Sequence, residues 1–434
     1  MKRPVVLFLL IMLLIPGIVH ALTLEEGLKI VAATGRDASI ARSNEEAARS
    51  GISVARAAWL PKVDAYGYET WLRYEPAAKF GPTPVVTAQD KYLTYGVTAT
   101  QLLYDFGRTS SAISAAQYGT QAREIETMRV KNRAAMEFII AYYDLLESEK
   151  MLTVAGEEVQ RYEAHKQDAD ARYGAGVVTK NEVLQADVTL ADALQRYLSA
   201  DNLRSIRASR INSQLLRPLS EPIQTEETTT TFVSGITLDA ATTAAEADSP
   251  EMKILDASIK AKEESISAVQ AEYLPTFYLS GGYQYQENEH MVHEDNWSLI
   301  AGVTVNLLSG GSTRARASMG RSELLSLRFT RDKIADAVRL DVKSAYLDVE
   351  SSSQKRDVAR AAVAQAEENL RLQSLRYQEG VGTATEVLDA VSLLSTAESN
   401  LWKALYGWER AGASLLYAMG RDLVSVYGKS ESGR

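Results

Sequence analysis

Tyr173-Gly174-Ala175-Gly176-Val177-Val178-Thr179-Lys180-Asn181-Glu182-Val183-Leu184 and Tyr377-Gln378-Glu379-Gly380-Val381-Gly382-Thr383-Ala384-Thr385-Glu386-Val387-Leu388 are two versions of one segment, 204 residues apart. Tyrosine, glycine, threonine, glutamate, valine and leucine recur at the same places. In each version the glycine follows a long proline-free stretch and reads as the end of a helix. The offset of 204 also joins Tyr142 to Tyr346 and Asp144 to Asp348. Nearer the N-terminus the offset is 214: Thr23-Leu24 matches Thr237-Leu238, Ile40 matches Ile254, Ala47 matches Ala261, Ile52 matches Ile266, and Ala57 matches Ala271. Trp59-Leu60-Pro61 matches Tyr273-Leu274-Pro275. The ten-residue change in offset falls between Pro61 and Gly107, so the first copy is longer there. Two ungapped blocks in the same order are the mark of an internal duplication. The expected layout is a first repeat over 22–217, a linker over 218–236, a second repeat over 237–420 and a C-terminal tail over 421–434.

Each copy reads as helix, two strands, then two more helices. Leu24 to Trp59 is rich in Ala, Glu and Arg, and Pro61 ends it, because the residue before proline is disfavoured in helix. Gly107 to Tyr173, and Gly311 to Tyr377 in the second copy, run without proline. At a rise of ~1.5 Å per residue, each is close to 100 Å of helix. Ala134, Phe138, Ala141 and Leu145 keep the spacing of a coiled-coil seam, and Val338, Val342, Ala345 and Val349 repeat it. The long helical runs are expected over about 107–217 and 311–420. Between helices the period falls to two. Leu93, Tyr95, Val97 and Ala99 alternate with Thr94, Gly96, Thr98 and Thr100. Phe277, Leu279, Gly281, Tyr283 and Tyr285 alternate with Tyr278, Ser280, Gly282, Gln284 and Gln286, and a further strand is expected from Ser298 to Leu307. Segments 62–106 and 275–309, read as strand hairpins, hold 14 of the 33 aromatic residues. Aromatic enrichment on alternating strands of about 10 residues is what a membrane-embedded sheet requires at its interfaces.

Of 434 residues only 26 are Gly and 10 Pro, so turn chemistry is scarce and long regular elements are favoured over several small domains. There is no Cys, which removes disulfides, thiol catalysis and cysteine metal sites. Net charge is −9, with no basic footprint for nucleic acid. Residues 1–21 read as an export signal: Lys2 and Arg3, an apolar run from Val5 to Val19, then Val19-His20-Ala21. Without them 45 basic residues face 56 acidic ones, leaving −11. No later apolar run reaches the ~18 residues of a spanning helix, so an exported chain of this kind enters a membrane only as a β-barrel. Four strands cannot close a barrel, since single-chain barrels start at about 8 strands. Open edges in lipid cost several kcal/mol per unpaired group. Three chains would resolve this with a twelve-stranded barrel continued by a helical wall. The fold class expected is therefore mainly α with a β membrane part: a trimeric α-helical barrel continued by a 12-stranded β-barrel, four strands per chain.

These residues resemble the TolC family of outer-membrane factors. The marks are the Leu60-Pro61 and Leu274-Pro275 junctions, the strand exits Leu103-Tyr104-Asp105-Phe106-Gly107-Arg108 and Leu308-Ser309-Gly310-Gly311, and the two turns quoted at the outset. Their order and duplication cover nearly all of the chain after the signal. The resemblance implies a homotrimer in outer-membrane lipid with a long periplasmic extension, acting as the passive exit duct of a tripartite efflux pump or a type I secretion system. Its implied partners are a periplasmic adaptor and an inner-membrane transporter, with neither enzymatic activity nor cofactor. By the same match, Glu386 and Asp389 are the inward carboxylates of the channel constriction. They lie three apart on one helix face, so a trimer would hold two rings of them, whose mutual repulsion is expected to raise some of their pKa values. The first copy carries Glu182 and Gln185 there. Tyr377 and Glu182 match a closed-state latch whose arginine is replaced by Gly382. Gly176, Val177, Gly380 and Val381 match the tips that adaptors grip.

Other signals carry less. His290 and His293 lie in the acidic stretch Glu287–Asp295 and read as a loop between strands rather than a metal site. Gly174-Ala175-Gly176 lacks the strand before it and the lysine after it that phosphate binding requires. Thr225–Thr231 reads as a polar linker. A periplasmic adaptor or a coiled-coil structural protein of the envelope would also carry long helices. Neither accounts for aromatic strands of membrane length.

Overall fold

Pro61 and Pro275 each stand one residue before a strand, and the architecture follows from these two junctions. A computed structural model of the protein describes residues 21–227 and 235–428. The export signal, apart from Ala21, and parts of the linker and tail lie outside the described residues. In chain order the elements are α1 (Leu24–Thr34), α2 (Arg36–Ala57), β1 (Lys62–Trp71), β2 (Ala77–Phe80), β3 (Thr83–Val86), β4 (Lys91–Tyr104), α3 (Arg108–Gly174) and α4 (Lys180–Gln214). The second copy supplies α5 (Leu238–Asp248), α6 (Pro250–Gln270), β5 (Thr276–Gln286), β6 (Asp295–Thr304), α7 (Ser312–Gln378) and α8 (Ala384–Ala418), and the chain continues to α9 (Leu423–Tyr427). Element bounds reproduce the sequence offsets: Leu24 to Leu238 is 214, while Arg108 to Ser312 and Lys180 to Ala384 are both 204.

The helix expected over Leu24–Trp59 is two helices. Gly35 divides α1 from α2, and in the second copy Ser249 caps α6 with Pro250 in its first turn, a position where the missing proline N–H costs nothing. The long helices are unbroken at 67 residues each, about 100 Å at the usual rise. No described helix is both long and apolar enough to cross a membrane.

The described residues divide into two compact units. The first takes 21–35, 131–227, 235–240 and 342–428, and the second takes Arg36–Val130 and Ala241–Asp341. The core of the first gathers Phe138, Ile139, Tyr142, Tyr143 and Leu145 of α3 with Leu28, Ile211, Tyr406 and Leu423. Phe138 and Leu145 of the expected seam are fully buried there. Each large side chain so enclosed contributes roughly 1.5–3 kcal/mol. The Tyr142 hydroxyl donates to the Leu22 carbonyl at 2.9 Å, and Leu22 bridges Thr225. At the other end of the chain, α9 buries Leu423 and Tyr427 in the same core.

The second unit carries the sheet, ordered β1-β4-β5-β6 and antiparallel throughout. Its register sorts the two faces. Tyr66, Gly96, Gln284 and Asn296 stand opposite one another, as do Asp64, Thr98, Gly282 and Ser298. On the other face the rows are Ala65, Val97, Tyr283, Trp297 and Val63, Ala99, Gly281, Leu299. That face is apolar and uncovered: Trp297 is 76 % exposed, Trp71 68 %, Leu299 65 % and Val63 63 %. The extra length of the first copy forms a second hairpin, β2 with β3. The Asn288 side chain donates to the Thr87 carbonyl at 3.1 Å, tying the loops of the two copies together. β6 stops at Thr304 rather than Leu307, because its partner β5 begins at Thr276, directly after Pro275. Below the sheet, α2 meets α3 through Ala48–Thr120 and Ala41–Thr127 contacts and the Arg49–Glu124 ion pair, and α6 meets α7 through the ion pairs Asp256–Arg331, Lys262–Glu323 and Glu263–Arg328. Such exposed pairs contribute about 0–1 kcal/mol each, so they set alignment more than stability.

Candidate constriction at the helical turns

Both helix-to-helix turns lie in the first unit and close in the same way. At the end of α3, the Val177 N–H donates to the Arg172 carbonyl and the Gly176 N–H to the Tyr173 carbonyl, both at 2.9 Å. At the end of α7, the Val381 N–H donates to the Arg376 carbonyl at 2.9 Å and the Gly380 N–H to the Tyr377 carbonyl at 3.1 Å. These are Schellman caps, which need a left-handed residue, and Gly176 and Gly380 both have φ of 74°. The caps leave Val177 and Val381 projecting, both strongly exposed.

After each turn the sequence Thr-x-x-Glu starts the next helix, a pattern that favours a capping box. Only the second copy forms it. The Thr383 N–H donates to Glu386 Oε2 at 2.8 Å, and the Glu386 N–H donates to Thr383 Oγ1 at 3.3 Å. Arg376 stands 3.7 Å from the same carboxylate. The Thr383 backbone donor, aided by Arg376, holds the Glu386 carboxyl below the usual carboxylate range. In the single chain the cap and the arginine thus favour the charged form of Glu386. Asp389, one turn further on, is exposed.

In the first copy Thr179 makes no side-chain cap, and Glu182 turns elsewhere. Its Oε1 accepts a 3.1 Å hydrogen bond from the Tyr377 hydroxyl, which links α4 to α7. Burial first, and then the charge of Glu182, push the Tyr377 phenol up to about 12. Two further residues, absent from the sequence reading, complete the cluster. The Arg172 guanidinium lies 4.6 Å from the centre of the Tyr377 ring and pairs with Asp168 at 3.1 Å. The His165 ring lies 5.4 Å from the same tyrosine. A Cβ at Gly382 would be tightly placed, 3.0 Å from the Tyr377 nitrogen and from Arg376 Cβ.

Ion pairs and apolar rows fix the surrounding helices. Arg161 of α3 reaches Glu398 of α8 at 2.9 and 3.1 Å, and Arg196 of α4 grips the buried Glu158 of α3 at 3.0 and 3.1 Å. Tyr162, Ala193, Leu388 and Val391 form one apolar cluster, and Tyr377, Ala384 and Val387 another. The turns are thus held by a polar link, two bidentate pairs and short apolar rows.

Comparison with known proteins agrees with this architecture. The family described as "Outer membrane efflux protein" matches residues 33–215 and 242–421. Nodulation protein T of Rhizobium leguminosarum bv. trifolii is 21 % identical over 381 residues, 86 % of this chain and 80 % of that one. Outer membrane efflux protein BepC of Brucella suis biovar 1 is 22 % identical over 398 residues, 87 % of this chain and 80 % of its own. Among solved structures, the Campylobacter jejuni CmeC outer membrane channel superposes with a TM-score of 0.79 at 14 % identity, covering 94 % of this chain and 89 % of that one.

Proposed function

Because the chain belongs to the outer membrane efflux protein family, an outer-membrane efflux channel without enzymatic activity, we propose that it works as a homotrimer and as the exit duct of a tripartite pump. The observation that carries the trimer is the sheet. Its four strands leave β1 and β6 as open edges and one apolar face uncovered. Unpaired edges cannot face lipid, and a contiguous apolar face of this size marks a surface that is covered in use. Three copies joined β6 to β1 satisfy both demands, with the Tyr66–Asn296 face turned to water and the Val97–Trp297 face to lipid.

In this assembly the paired turns narrow the periplasmic end. Asp389 supplies the negative charge that sets its ion preference, Glu386 caps the start of α8, and the Tyr377–Glu182 link holds it closed. Val177, Val381 and their glycines form the surface offered to a periplasmic adaptor, through which an inner-membrane transporter supplies the energy. Efflux is favoured over type I protein secretion because BepC carries efflux in its name. Bilayer recordings of detergent-extracted protein test the channel. Cation-selective conductance that changes on substituting Asp389 supports the assignment, and its absence rejects it.

A further inference from the structure

His165 is a titratable group of the turn cluster that neither the duct nor the link requires. It lies in α3, 7 % exposed, with its ring against Tyr377. Its Nε2 is enclosed and has no hydrogen-bond partner. The charged and titratable groups around it are already engaged. On its own helix Asp168 pairs with Arg172, from α7 Tyr377 lies against it, and from α4 Glu182 accepts from Tyr377. Arg172 approaches the same tyrosine ring as a cation.

A neutral imidazole suits this seat, since a ring half polar and half apolar can lie on an aromatic neighbour. An imidazolium does not. Both of its nitrogens carry N–H, and the one at Nε2 would be a charged donor, buried without an acceptor, in a cluster that already holds a guanidinium. A buried charge without a partner is costly, and the ring relieves that cost by leaving for water. We propose that His165 is a proton-sensitive prop of the turn cluster: protonation unseats its ring from beneath Tyr377, weakens the Tyr377–Glu182 link, and loosens the constriction as the medium acidifies. This rests on reading that link as the element that holds the turns closed.

The sign follows from linkage. Burial holds the His165 pKa below its ordinary 6.5, although Asp168 and Glu182 pull the other way. The seated state therefore binds fewer protons than the released one. Its advantage is whole above the ordinary histidine value and declines as the pH falls from there toward the depressed one.

The test uses the full-length channel in planar bilayers at about pH 7.5 and about pH 5.5, on either side of the ordinary histidine value, with the wild type, His165→Gln, His165→Phe and Tyr377→Phe. Open probability of the wild type is expected to rise at least about fivefold on acidification, the lower end of ordinary coupling. Both His165 variants should lose most of that rise, and Tyr377→Phe should be more open at both pH values. A wild type indifferent to pH, or His165 variants that keep its full response while Tyr377→Phe is open, overturns the role of His165 and leaves the link standing. Tyr377→Phe as closed as wild type overturns the link, and this inference with it. Should both His165 variants fail to assemble, the wild type still decides: protection of the 377–383 amides against hydrogen exchange must fall on acidification, and unchanged protection overturns the proposal.

Discussion

The Tyr377 hydroxyl and the Glu182 carboxylate, 195 residues apart in the sequence, meet at 3.1 Å. Glu182 is free for this contact because its own helix forgoes the cap that Glu386 makes in the other copy. One duplicated Thr-x-x-Glu pattern therefore serves two ends: a cross-link in the first repeat and a helix start in the second.

Removing the hydroxyl tests the cross-link. A hydrogen bond to a charged acceptor is worth about 1.5–3 kcal/mol, so Tyr377→Phe should shift the closed–open balance by roughly tenfold or more toward open. Glu182→Gln should act in the same direction, and the double variant should add little, since both remove one interaction. Single-channel recording measures all three, and full additivity would contradict a direct link.

The two carboxylates of the second turn should separate by function. Glu386→Gln is expected to reduce hydrogen-exchange protection in the first turn of α8, with little effect on ion preference. Asp389→Asn should lower cation preference without disturbing α8. The sign of the pH effect at Glu386 follows from its lowered pKa: its contribution is present above the ordinary carboxylate range and is lost as the pH falls through the depressed value. Reversal potentials in a salt gradient, measured beside exchange, check the division.

Gly176 and Gly380 share a φ of 74°, which a β-branched residue adopts only at a cost of about 1–2 kcal/mol. Gly176→Val or Gly380→Val should disrupt the turn and impair capture of the adaptor by crosslinking, while extraction of the assembled channel is unchanged. Loss of assembly would contradict a role for these turns confined to the adaptor contact.

The faces of the sheet give a sharp contrast between neighbours. Leu299 lies on the apolar face and Ser298 on the polar one. A lysine at a lipid-facing midplane position costs about 2–4 kcal/mol, so Leu299→Lys should reduce membrane insertion, whereas Ser298→Lys should insert normally. Recovery from the outer-membrane fraction measures both.

The long helices were legible because proline is missing from 108–174 and 312–378, and the strands because β4 and β5 alternate cleanly. The β2–β3 hairpin was not: Pro76, Pro82 and Pro84 argue against strand, and only an isolated two-stranded edge tolerates them. His165 and Arg172 escaped notice since their significance depends on Tyr377, which is distant in sequence and carries no local pattern. The capping box at Thr383–Glu386 was written in the sequence. A helix cap and a pore-lining carboxylate share the same spacing, and the cap at Glu386 becomes visible only in its hydrogen bonds.

Whether three chains share one pore is most directly tested by the native mass of detergent-extracted protein, taken together with its conductance. The account predicts three copies of the exported chain in one particle that passes ions across a bilayer. A single copy, stable in water without detergent and silent in the bilayer, would contradict it.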